Sequence, residues 1–175
     1  MQHYEILQRL CVTPRWAGMQ TSRTESVMEH KALVMMYTHL LTHETKNYEE
    51  YMGLAIAHDC EEAITGDLKY SFKNEKVIEF AEKAVYALLN YLPPYECELL
   101  RNSLDKNYVI LCADRISSAH FWINEKNMGN INFADGNQMY KSIEEVISLM
   151  KECKFENIII ERAEKTLLTF TKLKI

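Results

Sequence analysis

The sequence predicts an all-α protein, and three observations support that fold class. Gly and Pro are scarce, with 5 and 3 copies in 175 residues, so few tight turns are available for a many-stranded sheet. Apolar residues recur at helical spacing along most of the chain. Hydrophobic residues (47%) and charged residues (26%) occur in ordinary globular proportions. We therefore expect one helical domain over residues 1–175.

The first long helix is predicted over residues 24–44. Glu25 and Glu29 would lie in its first turns, where the helix dipole favours acidic side chains. Thr24 or Ser22 can cap its start, because a hydroxyl oxygen accepts a hydrogen bond from a free backbone N–H there.

The remaining helices follow the same spacing. A second helix, 48–64, ends near Gly66, which is a natural stop signal. A third, 74–91, has Asn74 as its cap and ends before Pro93. Three more helices are predicted over 107–127, 138–152 and 155–173. The apolar runs at 109–112 and 157–160 are also compatible with strand, although length and context favour helix for the first.

The charge and the cysteines limit the class of protein. A formal net charge of -5 disfavours polynucleotide binding, which depends on neutralising phosphates, but allows a small phosphorylated ligand beside a local cation. Five cysteines without a CxxC motif indicate neither a disulfide framework nor a thiolate zinc site. Reduced cysteines, a start without a signal peptide and the lack of a membrane span predict a cytoplasmic protein.

The segment HDCEEAITGD gathers one imidazole and several carboxylates near a helix end. On a continuous helix His58 and Glu62 would share one face, Asp59 would point about 100° away, and Gly66 would let the chain turn towards Asp67. Carboxylates at a helix C-terminus oppose the dipole, and a bound cation would resolve that conflict. Imidazole with carboxylate suits Zn²⁺, Mn²⁺, Co²⁺ or Fe²⁺ rather than Ca²⁺. The alternative is a set of solvated surface charges.

Two further residues could complete such a site. His30 borders an apolar helix face, and Asp114 lies in the apolar run VILCADRISSAHFW. A carboxylate in that setting is costly to bury unless it is paired or binds a metal. The alternatives are a hydrogen-bonded core histidine for His30 and a salt bridge to Arg115 or another basic residue for Asp114.

The order His30, His58-Asp59, Asp114 resembles the H…HD…D pattern of HD-domain phosphohydrolases. The blocks RWAGMQTSRTESVMEH, AHDCEEAITGDLKYSFK and CADRISSAHFWINEKNMGNINF resemble those of YfbR-type 5′-deoxynucleotidases and of phage DatZ-type dATP triphosphohydrolases, over about residues 10–140. The resemblance implies an HD-domain helix bundle with a divalent transition metal (Co, Mn, Zn or Fe) between its helices. It also implies that His30, His58, Asp59 and Asp114 bind that metal.

The resemblance assigns roles to five other residues. Glu62 matches the catalytic acidic residue, and Asp67 matches an aspartate that helps hold water, substrate or a second divalent ion near Glu62. Arg15 and Lys73 match phosphate-binding residues. Trp16 matches a tryptophan that packs on the deoxyribose and disfavours a 2′-hydroxyl.

The resemblance leaves three functions open. The first is a 5′-deoxynucleotidase that releases phosphate from deoxynucleoside monophosphates, and the second is a triphosphohydrolase that releases triphosphate from deoxynucleoside triphosphates. The sequence after TGDL reads KYSFK, where the monophosphatases have a Pro-containing segment, so the phosphate number stays open. The third is a non-catalytic HD module that binds metal and nucleotide.

The amphipathic segments 74–91 and 138–173 predict a homo-oligomer.

Overall fold

Helices provide the regular structure of this chain in the computed structural model, which describes residues 3–16, 18–67, 75–90, 94–95, 97–98, 107–133 and 137–172. Within those residues the β structure is limited to one isolated antiparallel bridge, between Pro14 and Ser26. The all-α prediction is therefore confirmed. The helices are α1 (His3–Val12), α2 (Val27–Thr42), α3 (Tyr48–Ala57), α4 (Glu62–Thr65), α5 (Glu75–Leu89), α6 (Tyr108–Asn127), a 3-10 turn (Ile131–Phe133), α7 (Asn137–Glu152) and α8 (Asn157–Lys172).

Helix α2 lies at the centre of the bundle. It packs against α1, α3, α6 and α8, so buried residues occur along its whole length. Two of these buried residues, His30 and Lys31, are polar and adjacent. Neither can reach water freely, so each requires partners inside the protein.

The start of α2 differs from its prediction. Ser26 is the cap, because its Oγ accepts the backbone N–H of Glu29 at 3.2 Å and the Glu29 carboxylate accepts the N–H of Ser26 at 2.6 Å. The predicted caps Ser22 and Thr24 were wrong. The backbone N–H of Ser22 donates instead to the buried Glu125 on α6 at 2.5 Å.

The predicted helix 48–64 is interrupted at the HD dipeptide. Helix α3 ends at Ala57, His58 is its C-cap, and the one-turn helix α4 begins only at Glu62. The physical reason is the backbone of Asp59, whose φ of +55° lies in the left-handed region and cannot continue a right-handed helix. The prediction that His58 and Glu62 share one helix face was therefore wrong.

The C-terminal helices agree with their predictions. Helix α6 is capped by Asn107, whose side chain accepts the N–H of Val109 at 3.1 Å, and the strand alternative at 109–112 was wrong. Helix α7 begins one residue before its predicted range, α8 lies within its own, and the run 157–160 is helical. Helix α5 lies within 74–91, but its predicted cap, Asn74, is outside the described residues. Helix α1 was not predicted.

Two apolar clusters support the bundle and meet along α2. The larger cluster joins α2, α3, α6, α7 and α8 and includes Val34. The smaller one joins α1, the start of α2, α4 and α5 and includes Val27. His30 lies on α2 between Val27 and Val34, so it sits where the two clusters adjoin. No described helix is both long and apolar enough to cross a membrane.

Candidate metal centre

Three of the predicted metal ligands come from different helices and converge in the bundle. His30 lies on α2, His58 caps α3, and Asp114 lies on α6; one donor atom from each falls within 4.8 Å of the others. Nε2 of His30 lies 3.0 Å from Oδ1 of Asp114, and Nε2 of His58 lies 4.0 Å from the same oxygen. Among the described ion pairs, Asp114 is paired with these two imidazoles and not with Arg115. The Arg115 alternative was therefore wrong.

Asp59 joins this group because the chain turns sharply at the HD dipeptide. Its Oδ2 lies 3.1 Å from Nε2 of His58 and 3.7 Å from Nε2 of His30. The left-handed backbone of Asp59 returns its side chain towards the side that His58 occupies, whereas a continuous helix would have directed it elsewhere. The structure thus brings all four predicted ligands together.

The imidazole nitrogens of His30 and His58 are placed where they could bind a metal. Nδ1 of His30 and Oγ of Ser117 lie 3.0 Å apart in a hydrogen bond, which leaves Nε2 facing the centre. Nε2 of His30 and Nε2 of His58 are both buried, and neither makes a hydrogen bond of acceptable geometry to a described residue. Two imidazole nitrogens and two carboxylates form a donor set that fits a first-row divalent ion.

The charges of the site favour ionised carboxylates. Burial alone would raise the pKa of Asp59 and Asp114, but the nearby His58, His30 and Arg15 outweigh it. The pKa of Asp59 is held well below its usual range, and that of Asp114 falls to about 2. Burial would lower the pKa of His58, yet Asp59 and Asp114 raise it above its ordinary value. A metal bound there would compete with a proton that His58 holds more firmly than an ordinary histidine does.

Glu62, at the start of α4, has the opposite environment. Burial, followed by the charges of Asp59 and Asp67, raises its pKa to about 9. Its Oε2 is buried and makes no hydrogen bond within the described part of the chain. A carboxyl group of this kind is a stronger base than usual and is free to exchange a proton with a ligand.

Arg15 reaches the site from the segment that precedes α2. Its backbone N–H donates to the carbonyl of Glu25 at 2.8 Å, next to the bridge between Pro14 and Ser26. Its side chain is only 12% exposed and lies 3.9 Å from both the Glu25 and the Asp59 carboxylates. Arg15 is therefore largely buried at the site and is not a solvated surface charge.

Trp16 is fixed on three sides next to Arg15. Its backbone N–H donates to Oδ2 of Asp67 and its indole N–H to Oε2 of Glu25, both at 2.8 Å. Its ring stacks on Phe121 with centroids 5.2 Å apart. The predicted residues Arg15, Trp16 and Asp67 thus form one connected group beside the ligands, while Lys73 lies outside the described residues.

Sequence reasoning missed several residues that support the site. Glu25 was assigned to the first turn of a helix, but it precedes α2 and its buried carboxylate meets Arg15 and Trp16. Ser117 follows Asp114 by three residues, and helical spacing could have indicated that both face His30. Lys31 was not singled out, since nothing local predicts a buried lysine.

Comparisons with known proteins agree with this arrangement. The family model described as "5′-deoxynucleotidase YfbR-like" matches residues 2–162. A 5′-deoxynucleotidase of Yersinia pestis is 31% identical over 154 residues, covering 76% of this chain and 78% of the relative. A 5′-deoxynucleotidase of Shewanella oneidensis is 29% identical over 154 residues, covering 76% of this chain and 79% of that protein.

Two solved structures share the fold. The PH0347 protein from Pyrococcus horikoshii OT3 superposes with a TM-score of 0.73 at 22% identity, covering 97% of this chain and 96% of its own. The cyanophage S-2L HD phosphohydrolase DatZ, solved with dA and one catalytic Zn²⁺ ion, superposes with a TM-score of 0.67 at 15% identity and covers 98% of both chains.

Proposed function

Because this chain belongs to the YfbR-like family of 5′-deoxynucleotidases, we propose that it hydrolyses deoxynucleoside 5′-monophosphates to deoxynucleosides and phosphate. The observation that carries this proposal is the convergence of two imidazoles and two carboxylates beside Glu62. That arrangement supports a cation site with a base beside it. A phosphate monoester would bind beside these ligands, Glu62 and the largely buried Arg15.

We propose His30, His58, Asp59 and Asp114 as the ligands of a divalent ion. The buried Nε2 atoms of both histidines support this assignment. Zinc, cobalt, manganese and iron all suit the donor set, and the cyanophage neighbour was solved with catalytic zinc. When bound, such an ion polarises a phosphoryl oxygen and lowers the pKa of a coordinated water.

We propose that Glu62 transfers a proton from the attacking water to the leaving group. In the metal-free protein the raised pKa keeps Glu62 protonated at neutral pH, and a cation held by the four ligands would favour its ionised form. The carboxylate could then accept the proton of the attacking water. The water oxygen forms a bond to phosphorus as the bond from phosphorus to the 5′-oxygen breaks. The proton then passes from Glu62 to the leaving 5′-oxygen, which restores the carboxylate. A second divalent ion near Glu62 and Asp67 stays a prediction.

Arg15 and Trp16 are proposed to bind the two parts of the nucleotide. Arg15 lies within ion-pair distance of Asp59 and can neutralise charge on phosphate oxygens. Trp16 is held in place by Glu25 and Asp67, and the resemblance assigns its indole to packing against deoxyribose. Lys73 as a further phosphate ligand stays a prediction.

A triphosphohydrolase is the second candidate. The cyanophage DatZ structure matches this chain over 98% of both lengths, which supports a shared fold of the same compact size. A triphosphohydrolase needs a larger space around the phosphates than a monophosphatase does. The segment KYSFK, on which that difference depends, lies outside the described residues.

A product analysis separates the candidates. Purified protein would be incubated with Co²⁺ or Mn²⁺ and a panel of deoxynucleoside mono-, di- and triphosphates, and the products separated by ion-exchange chromatography. Phosphate from monophosphates alone supports the proposed function, and release of intact triphosphate supports the alternative. An Asp114→Asn variant controls for contaminating phosphatases. Metal binding without any product would favour the non-catalytic module.

The prediction of a homo-oligomer is retained. The amphipathic helix α5 exposes Phe80 and Tyr86 at 51% and 68%, and this helix is one of the surfaces on which subunits could pack. Sedimentation equilibrium measures this state directly. A monomer at all concentrations would remove the prediction without affecting the proposed reaction.

A further inference from the structure

We propose that Lys31 is a positioning residue that holds the His58-Asp59 turn in the shape needed to bind a metal. This inference rests on the proposed metal site and concerns how the chain builds it. Lys31 is 4% exposed and directly follows His30 on α2. Two consecutive residues on α2 would therefore serve the same centre. His30 would bind the metal, and Lys31 would fix the backbone of a second ligand, His58.

The Lys31 ammonium group lies at the C-terminal end of α3. Its Nζ donates to the backbone carbonyl of Ile56 at 2.9 Å and to the backbone carbonyl of His58. Nζ also lies 3.4 Å from Sγ of Cys60. The three acceptors belong to Ile56 before the HD dipeptide, to His58 within it and to Cys60 after it. One side chain therefore contacts the whole turn.

These contacts answer two structural needs. The last carbonyls of a helix have no partner within the helix, and they carry the negative end of its dipole, so a cation is favoured there. Asp59 holds a left-handed backbone that a residue with a side chain rarely adopts, and such a conformation persists only where its surroundings enforce it. Lys31 supplies such a restraint next to Asp59.

The charge of Lys31 makes the inference testable. Removing a cation beside a metal site would, by electrostatics alone, strengthen metal binding. Loss of the restraint would weaken it, because the donors of His58 and Asp59 would no longer be held opposite those of His30 and Asp114. Weaker metal binding after removal of Lys31 therefore indicates positioning, whereas tighter binding indicates simple charge repulsion.

The test compares Lys31→Met with Lys83→Met, which removes an exposed lysine paired with Glu79 on α5. Isothermal titration with Co²⁺ at fixed pH should show about tenfold weaker binding for Lys31→Met and no change for Lys83→Met. Lys31→Arg, which keeps the charge and the donors, should recover part of the loss. In metal-free protein, the amides of Cys60 and Glu62 should exchange faster in Lys31→Met than in the wild type.

Several results would overturn the inference. Equal or tighter Co²⁺ binding by Lys31→Met would do so, as would a lower melting temperature with unchanged affinity, which indicates a merely structural role. If Lys31→Met does not fold, the same comparison applies to Lys31→Gln, which keeps two N–H donors. A wild-type protein that binds Co²⁺ but releases no phosphate would overturn the proposed function alone, since the affinity ratio still measures the role of Lys31.

Discussion

The backbone N–H of Trp16 donates a hydrogen bond to Oδ2 of Asp67 at 2.8 Å and joins loops that are 51 residues apart. Trp16 has a φ of +61°, a left-handed conformation that needs support from its surroundings. The sequence resemblance assigned Asp67 to water, substrate or a second metal. The observed bond indicates that Asp67 also positions the residue proposed to contact deoxyribose.

Variants at Asp67 should separate these roles. Asp67→Ala removes the acceptor for Trp16, and we expect a higher KM together with weaker discrimination against ribonucleotides. Asp67→Asn keeps a side-chain oxygen that can accept the same bond, so its discrimination should stay near the wild-type value. Steady-state rates with deoxyribo- and ribonucleoside monophosphates measure both. If Asp67→Asn loses as much activity as Asp67→Ala but regains it at high metal concentration, Asp67 binds a second ion instead.

Glu62→Gln should change stability and activity in opposite directions. The native pKa of Glu62 is about 9 against an ordinary value of 4.5, so the native state binds this proton more tightly than the unfolded state. The free energy of unfolding of metal-free protein should therefore fall as pH rises between these values. Glu62→Gln should reduce that slope and raise stability at high pH. His58, whose pKa is also raised, contributes a remaining slope in the same direction.

The check is urea unfolding in EDTA at pH 6 and pH 8.5, with phosphate release measured separately on the metal-loaded proteins. We expect activity to fall about 10²- to 10⁴-fold in Glu62→Gln, the usual size of a general-base contribution. An identical pH slope in both proteins would show that Glu62 is ionised in the native state at neutral pH.

Ser117→Ala should weaken metal binding through His30. The hydrogen bond at 3.0 Å between Ser117 and Nδ1 fixes the ring, and with Nδ1 protonated it leaves Nε2 as the free donor. Loss of such a partner usually costs about 10- to 100-fold in metal affinity. Ser118→Ala, at the adjacent buried serine, is the matched control. Equal Co²⁺ affinities for the two variants would argue against an orienting role.

Metal should stabilise the fold, because the ligands converge only in the native state. Co²⁺ at 100 times its Kd should add about 2.7 kcal/mol to the free energy of unfolding. Asp114→Asn, which replaces an anionic ligand on α6 with a neutral amide, should show much less of this increase at the same metal concentration. Denaturant titrations with and without metal measure the difference. An equal gain in both proteins would place the ion elsewhere.

The sequence predicted the helices, and which side chains gather at the candidate centre, better than it predicted the local geometry. Helical spacing indicated α6, α7 and α8 because each carries a regular apolar face. Helix α1 escaped notice, although Ile6 and Leu10 are four residues apart and both buried. A single short pair of apolar residues does not distinguish a helix from a chance pattern.

The break at the HD dipeptide depends on tertiary contacts that periodicity does not report. The residues 48–64 have helical spacing, yet Asp59 turns the chain, and the surrounding contacts come from Lys31 and Arg15 on distant segments. The link between Trp16 and Asp67 likewise spans 51 residues. Pattern reasoning identifies which residue types are present, whereas long-range packing decides which atoms face one another.

The most direct test of the account is metal-dependent release of phosphate from deoxyadenosine 5′-monophosphate by the wild-type protein and by Asp114→Asn. With saturating Co²⁺ we predict steady turnover by the wild type and a loss of at least about 100-fold in the variant, since its metal site loses the charge of one carboxylate ligand. Circular dichroism confirms that both proteins are folded. No phosphate from the metal-loaded wild type, or equal rates for the two proteins, would contradict the account.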